Sequence, residues 1–253
     1  MKYFAKIRYL GTDFHGFQVQ PEHRTVQGEL CLALERATGS PCKVTGCSRT
    51  DAGVHANEFC ITVENENATV PPEKLPLAVA RFLPPDLSLY CASEADSSFH
   101  PRYSVKSKEY LYRIRNTRIS DPFDHGRVWL LNPPITDEGL QKMKKAASHI
   151  VGKKDFSAFM AQGSDAADTV REVKYLELER QGELINLRIC ADGFLYNMVR
   201  IIVGTLTEVA FGRISAEDIC FIIESKNRAL AGMTAPADGL YLNRVFYKLE
   251  KQP

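Results

Sequence analysis

The sequence has no apolar run long enough to cross a bilayer. Its first ten residues, MKYFAKIRYL, alternate in character instead of forming the uniform apolar stretch of a secretion signal. It is also short of paired cysteines: there are seven, an odd number, scattered with no CxxC pair, so neither a disulfide framework nor a zinc site is indicated. They read as reduced, mostly buried thiols of a cytoplasmic protein. No sign of charge dominates, because 32 Lys and Arg stand against 31 Asp and Glu, for a net charge of +1. Any surface for a polyanion must then be a local patch offset by acidic surface elsewhere. A dinucleotide fingerprint and a metal-ligand cluster are both missing. Gly11 and Gly16 have the glycine spacing of a P-loop, but Phe17-Gln18 stand where a Lys-Ser/Thr pair is required. What remains is an ordinary soluble composition, 44% hydrophobic and 25% charged, in 253 residues, enough for one large domain or two small ones.

The densest chemistry lies in Gly46–Ala56, GCSRTDAGVHA, where Arg49, Asp51 and His55 stand among small and turn-forming residues. Period-2 segments flank it, Lys43–Cys47 before and Phe59–Val63 after, which places the charged residues on a loop between two strands. In an extended run residues i and i+2 point to one side, so Arg49 and Asp51 are expected to pair. A guanidinium there keeps the carboxylate ionised, as a nucleophile requires. A solvated loop ion pair is the plainer reading of the same residues. For His15 and His55 an RNA contact stands as the alternative, and a structural hydrogen-bonding role is the expectation for each; neither is assigned catalysis.

Along the chain, Tyr3, Ala5, Ile7 and Tyr9 alternate as a half-buried strand. Thr25 can cap a helix with Val26, Leu30, Leu34 and Ala37 inward, ended by Gly39. Strands at about 42–48 and 58–63 follow. A second helix then opens at Pro71-Pro72, with Leu75, Val79 and Phe82 inward, and a strand runs over 87–92. The order β-α-β-β-α-β is the ferredoxin-like arrangement. The second part repeats it with a strand at 106–116, a helix at 136–150, a polar stretch at 162–169 and a hairpin of strands 170–180 and 184–190. A helix at 194–210, a short helix capped by Ser215 and a strand at 240–249 complete it. This predicts an α+β fold of two ferredoxin-like (RRM-like) halves, residues 1–104 with the aspartate loop and 105–253.

Residues 102–118 hold six basic side chains (102, 106, 108, 113, 115 and 118) against one acid, Glu109, with Tyr103, Tyr110 and Tyr112 interleaved. Aromatics stack exposed bases while basic groups hold phosphates. Tyr110, Tyr112 and Ile114 share a face, so tyrosines turned to the core are the alternative, preferred for Tyr112. Arg200 sits in an otherwise apolar stretch, Met198–Val203, where a charge is costly unless it meets a cleft or an acid.

The run GCSRTDAGVHA resembles the signature of the tRNA pseudouridine synthase A family, with Asp51 at the position of the nucleophilic aspartate. Phe14-His15-Gly16-Phe17-Gln18 is similar to the family's F/Y-H-G-W-Q, and Thr25–Leu30 to T-V-Q-G-E-L. Phe99-His100, Lys106–Tyr112, Phe156–Phe159 and Thr169–Arg171 resemble further short motifs. Gly193–Arg200 is similar to G-F-L-x-x-M-V-R, and Thr234–Leu242 to T-A-P-A-x-G-L-Y-L. Three departures stand out: Ser48 for Gly, Phe17 for Trp, and Ile201 where Asn often follows the arginine.

The resemblance implies two α/β halves whose antiparallel sheets join, a catalytic cleft between them, and a homodimer. It also implies isomerisation of uridine to pseudouridine at positions 38 to 40 of the tRNA anticodon arm. The reaction consumes no electrons, phosphate or metal, so no cofactor is expected. On the matching positions Asp51 is the nucleophile and Tyr110 the catalytic tyrosine; the carboxylate must be held ionised and aimed, and Arg49 and Arg200 are the candidates for that. Tyr110, Arg102, Lys106 and Lys108 would bind the RNA, with the target uridine flipped out of its stack. Two rivals are weaker. A non-catalytic RRM would carry its RNP1 glycine and aromatics in the third strand, and Phe59–Val63 does not. A glycosidic hydrolase needs a second matching acid.

Overall fold

Alternation at the start of the chain makes a strand, β1 (Lys2–Tyr9), with Tyr3, Ala5 and Ile7 fully buried on one face. In the computed structural model, which describes residues 1–66, 70–163 and 166–247, the chain divides into two compact units. One comprises residues 1–106 together with the C-terminal strand, and the other residues 107–240.

In the first unit α1 (Val26–Thr38) begins where the Thr25 hydroxyl accepts from the Gly28 amide, and it buries Val26, Leu30, Ala33 and Leu34. Next come β2 (Lys43–Gly46), β3 (His55–Glu64), α2 (Leu75–Ala80) and β4 (Leu87–Glu94). β1 pairs antiparallel with both β3 and β4, and β2 pairs antiparallel with β3. β10 (Leu240–Tyr247) returns to lie parallel to β3, with Tyr241 opposite His55. Phe59, Ile61 and Val63 of β3 are fully buried, as the period-2 pattern requires. The last strand was expected to reach residue 249; 248 and 249, like 164 and 165 of the polar stretch, lie outside the described residues.

The second unit starts from β5 (Val105–Arg115), which carries β6 (Trp129–Leu130) in parallel on one edge. After α3 (Asp137–Ser148) come β7 (Gly152–Asp155) and the hairpin β8 (Val170–Gln181) and β9 (Leu184–Ala191). Strand order is β5-β9-β8-β7. The helices are α4 (Met198–Ala210) and α5 (Asp218–Ser225). α4 is buried nearly all round, ten of its thirteen residues, so it is a core helix with no solvent stripe.

One boundary differs from the sequence reading for a local reason, and one expected cap is formed. α4 begins at Met198, not 194, because Asn197 takes a left-handed conformation (φ 58°) that a helix interior does not accommodate. α5 begins at Asp218, and the Ser215 hydroxyl and Asp218 carboxylate exchange bonds with each other's backbone amides just ahead of it. The seven cysteines form no disulfide, and only Cys47, Cys60 and Cys190 are buried, while Cys91 and Cys220 are exposed. The expectation of mostly buried thiols is corrected accordingly.

Candidate active site

In the first unit, Asp51 is half-buried on the loop between β2 and β3, and a second loop clamps it. That second loop is Gly11–Phe17, the stretch with failed P-loop spacing. The Phe17 amide donates to the Thr50 carbonyl at 3.1 Å, and the Gly53 amide to the Phe14 carbonyl at 3.3 Å. The Gly11 amide donates to His55 Nδ1 at 2.8 Å, and the Tyr9 and Thr50 hydroxyls share a bond of 2.8 Å. Gly16 (φ 84°) lies against the Thr50 carbonyl, where a Cβ would stand at 2.6 Å. Immediately after Asp51 the chain reverses: Val54 donates to the Asp51 carbonyl at 3.2 Å, with Gly53 (φ 80°) at the third turn position, which wants glycine. The clamp is itself braced. Arg24 stacks over the Phe14 ring at 4.1 Å and grips Asp86 with two nitrogens, at 2.7 and 2.8 Å.

The expected Arg49–Asp51 ion pair is not formed. Arg49 is exposed and belongs to no ion pair among the described residues. The pairing rule holds for an extended strand, and residues 47–54 carry no strand before the turn at Ala52-Gly53. Arg49 instead reaches a groove beside Phe17, Arg102 and Tyr103. His55 is structural as expected: fully buried, accepting from Gly11 and stacked on Tyr241 at 4.5 Å. His15 is exposed and stacks on His23 at 4.1 Å. Phe17, at the position where the motif often has tryptophan, is buried and stacked on Phe59 at 4.4 Å.

The second unit holds the other expected residues. Tyr110 on β5 is 8% exposed, and the edge of one ring meets the face of the other between it and Phe194, 5.0 Å away. Tyr112, two residues on, is fully buried and donates its hydroxyl to the Pro236 carbonyl at 2.7 Å. Burial pushes its phenol well above the ordinary range, opposed in part by the Arg200 guanidinium, so Tyr112 stays a neutral core residue.

Arg200 occupies the first turn of α4, the positive end of the helix dipole, where a cation is disfavoured. It is held there by Nε donating to the Ala235 carbonyl at 2.6 Å and Nη1 to Asn197 Oδ1 at 2.9 Å. The Ala235 amide donates back to the Arg200 carbonyl at 3.1 Å. Holding a guanidinium against a helix dipole concentrates positive potential suited to an anion. Ile201, the departure beside it, is buried in the core of the unit.

Of the basic stretch, Arg102 lies in the turn before β5 and Lys106 on the strand, both exposed, while Lys108 is half-buried. Arg115 is committed to Asp124, its Nε 2.6 Å from the carboxylate, so it does not belong to a free phosphate-holding row.

Sequence reasoning missed three supports. The Gly11–Phe17 clamp was visible only as glycines without a P-loop lysine. Phe194, which braces Tyr110, and the Ala235-Pro236 backbone, which fixes both Arg200 and Tyr112, left a trace only in their motifs.

A family model described as tRNA pseudouridine synthase matches this chain over residues 5–104 and again over 146–248. A tRNA pseudouridine synthase A of Thermoanaerobacter sp. (strain X514) is 43% identical over 241 residues, covering 95% of this chain and 97% of that protein. The same-named protein of Acetivibrio thermocellus is 42% identical over 242 residues, with the same coverage. That of Halalkalibacterium halodurans is 40% identical over 240 residues, covering 94% of this chain and 90% of its own. Among solved structures, a chain of a Cbf5-Nop10-Gar1 complex covers 96% of this chain and 59% of its own. It does so at 11% identity and a TM-score of 0.36, too distant to carry an argument.

Proposed function

The chain belongs to the tRNA pseudouridine synthase family, isomerases that turn uridine in tRNA into pseudouridine, and we propose that Asp51 is the carboxylate on which its reaction turns. In that reaction the N1–C1′ bond breaks, the base turns, and a C5–C1′ bond forms. C5 gives up a proton and N1 gains one, so atoms and electrons balance within the substrate. A carboxylate attacks or stabilises the electron-poor intermediate, and a proton carrier serves the base. Asp51 fills the first role, Tyr110 the second, and Arg49 and Arg200 supply positive charge. Arg102, Lys106 and Lys108 hold phosphate.

The observation that carries this reading is the clamp on the Asp51 loop. The loop that carries the half-buried Asp51 is held by the Phe17 amide on the Thr50 carbonyl and by the Gly53 amide on the Phe14 carbonyl, which is the backbone preorganisation a nucleophile needs. The finer reading is that the target uridines lie at positions 38 to 40 of the anticodon arm, and that the protein acts in the cytoplasm as a homodimer. Its halves, 1–104 and 105–253, are read as ferredoxin-like; the repeated β and α order and the two separate family matches support that. Among the described residues no helix is long and apolar enough to cross a membrane.

Asp51→Asn tests the central claim. The variant is expected to make no pseudouridine while binding tRNA within a few-fold of wild type, since phosphate contacts dominate affinity. Pseudouridine formed by clean Asp51→Asn protein, assayed by carbodiimide mapping, removes Asp51 as nucleophile.

A further inference from the structure

Beside the Asp51 loop, and wholly within the first unit, lies an open groove of about 290 Å³. Phe17 and Val44 are among its apolar lining, while Arg49, His100, Arg102 and Tyr103 are among its polar lining. No acidic residue lines it, in a protein whose acids and bases otherwise balance. Arg49 and Arg102 are both exposed and belong to no ion pair among the described residues, whereas Arg24, Arg115 and Arg180 each hold a carboxylate. Two guanidinium groups without acid partners make a phosphate-seeking surface.

Tyr103 is the unusual member. A tyrosine 80% exposed has given up burial, yet this one is held in place. Its ring lies 4.3 Å from the His100 ring at a tilt of 31°. His100 Nδ1 accepts from the amides of both Arg102 (3.1 Å) and Tyr103 (3.3 Å), and the Ser104 amide donates to the His100 carbonyl at 3.0 Å. The turn is pinned from outside too: Tyr247 donates to the Pro101 carbonyl at 2.9 Å, and Lys2 to the carbonyls of Ser97 and Phe99 at 2.9 and 2.7 Å. An aromatic face presented rigidly to solvent beside two free guanidinium groups is what a single-stranded nucleotide requires: a plane for the base and cations for its phosphates.

We propose that this groove binds an unpaired nucleotide of the substrate RNA other than the isomerised uridine, with its base stacked on Tyr103 and its phosphate held by Arg102. The inference rests on the tRNA reading of the site and assigns a stacking subsite beside it, on the Tyr103 and Arg102 side of a groove that Arg49 also lines, which acts on RNA affinity through Tyr103.

Tyr103 variants test it, with tRNA affinity measured by filter binding and the single-turnover rate measured at saturating enzyme. Tyr103→Leu removes the ring and is expected to weaken binding about tenfold, the scale of one lost stacking contact, with the single-turnover rate within twofold of wild type. Tyr103→Phe keeps the ring and is expected to bind as wild type. Arg102→Gln is expected to weaken binding several-fold. Wild-type affinity in Tyr103→Leu, or equal losses in the Leu and Phe variants, overturns the stacking role. A lost single-turnover rate with unchanged affinity overturns it as well. Failure of the underlying reading looks different: wild-type protein would then form no pseudouridine, whatever the Tyr103 variants bind.

Discussion

Tyr110 and Tyr112 show how two residues of one type, on one face of one strand, are separated by what surrounds them. Tyr112 is sealed: its hydroxyl is spent on Pro236, and burial holds it protonated. Tyr110 keeps a little exposure and is braced at its ring by Phe194, which fixes the plane of the phenol. If Tyr110 carries the proton that leaves C5, Tyr110→Phe should bind tRNA normally and lose about a hundredfold or more in single-turnover rate. If only its ring matters, as a stacking partner, Phe should retain nearly full activity. We expect the first outcome, and a near-wild-type rate for Tyr110→Phe at saturating enzyme would leave Tyr110 the stacking role alone. Tyr112→Phe offers the contrast. It strips the partner from the Pro236 carbonyl and should cost stability, about 1 kcal/mol in urea unfolding, the usual size of one such bond.

At the scale of elements, periodicity carried most of the information. α1, α3 and the β8–β9 hairpin stand where apolar spacing and caps placed them, because each buries one face and declares it every second or every third to fourth residue. β6 and β7, two and four residues long, were not legible: a strand that short has no period and is defined by the partner it pairs with. The Arg49–Asp51 pair failed for a related reason, since a rule about strands was applied to a loop. The Gly11–Phe17 clamp shows the reverse case, in which glycines that fail one motif serve another purpose. At Gly16 a methyl group meets both a left-handed backbone and the Thr50 carbonyl, one residue from Asp51. Gly16→Ala is therefore expected to destabilise the protein by about 1–3 kcal/mol and to lower kcat at least tenfold with tRNA affinity held. Gly39→Ala is the control. It has the same kind of backbone (φ 76°) with no atom within 4 Å of the added carbon, at the end of α1, so it should show strain in thermal unfolding and a normal kcat. Equal loss of kcat in both would mean that general destabilisation, not displacement of the Asp51 loop, causes the effect.

Over the whole molecule, charge balance is the property most easily misread. A net charge of +1 counts against a nucleic-acid partner if charge is treated as uniform, and it is not uniform here: Arg49 and Arg102 share a groove with no acidic lining residue. The residues expected to react, Asp51 and Tyr110, could be singled out because they sit in short motifs. The distribution of charge was not, because pairing is a matter of three dimensions: Arg115 looks like its basic neighbours in sequence, yet Asp124 neutralises it. Arg49, Arg102 and Lys106, all in the first unit, are exposed and belong to no ion pair among the described residues, so each is available to a phosphate. Each phosphate neutralised releases condensed counterions, giving a slope of log affinity on log salt of roughly −0.7 to −0.9 per contact. Three contacts give roughly −2 to −3, so raising salt from 50 to 200 mM should weaken tRNA binding about twenty- to fortyfold. A uniformly balanced surface predicts almost no change. Fluorescence anisotropy across that salt range separates the two, and the double variant Arg102→Gln/Lys106→Gln should flatten the slope by roughly 1.4 to 1.8. A wild-type slope shallower than about −1 would mean that these cations do not face the RNA backbone, and the phosphate-holding role given to Arg102 and Lys106 would have to be withdrawn.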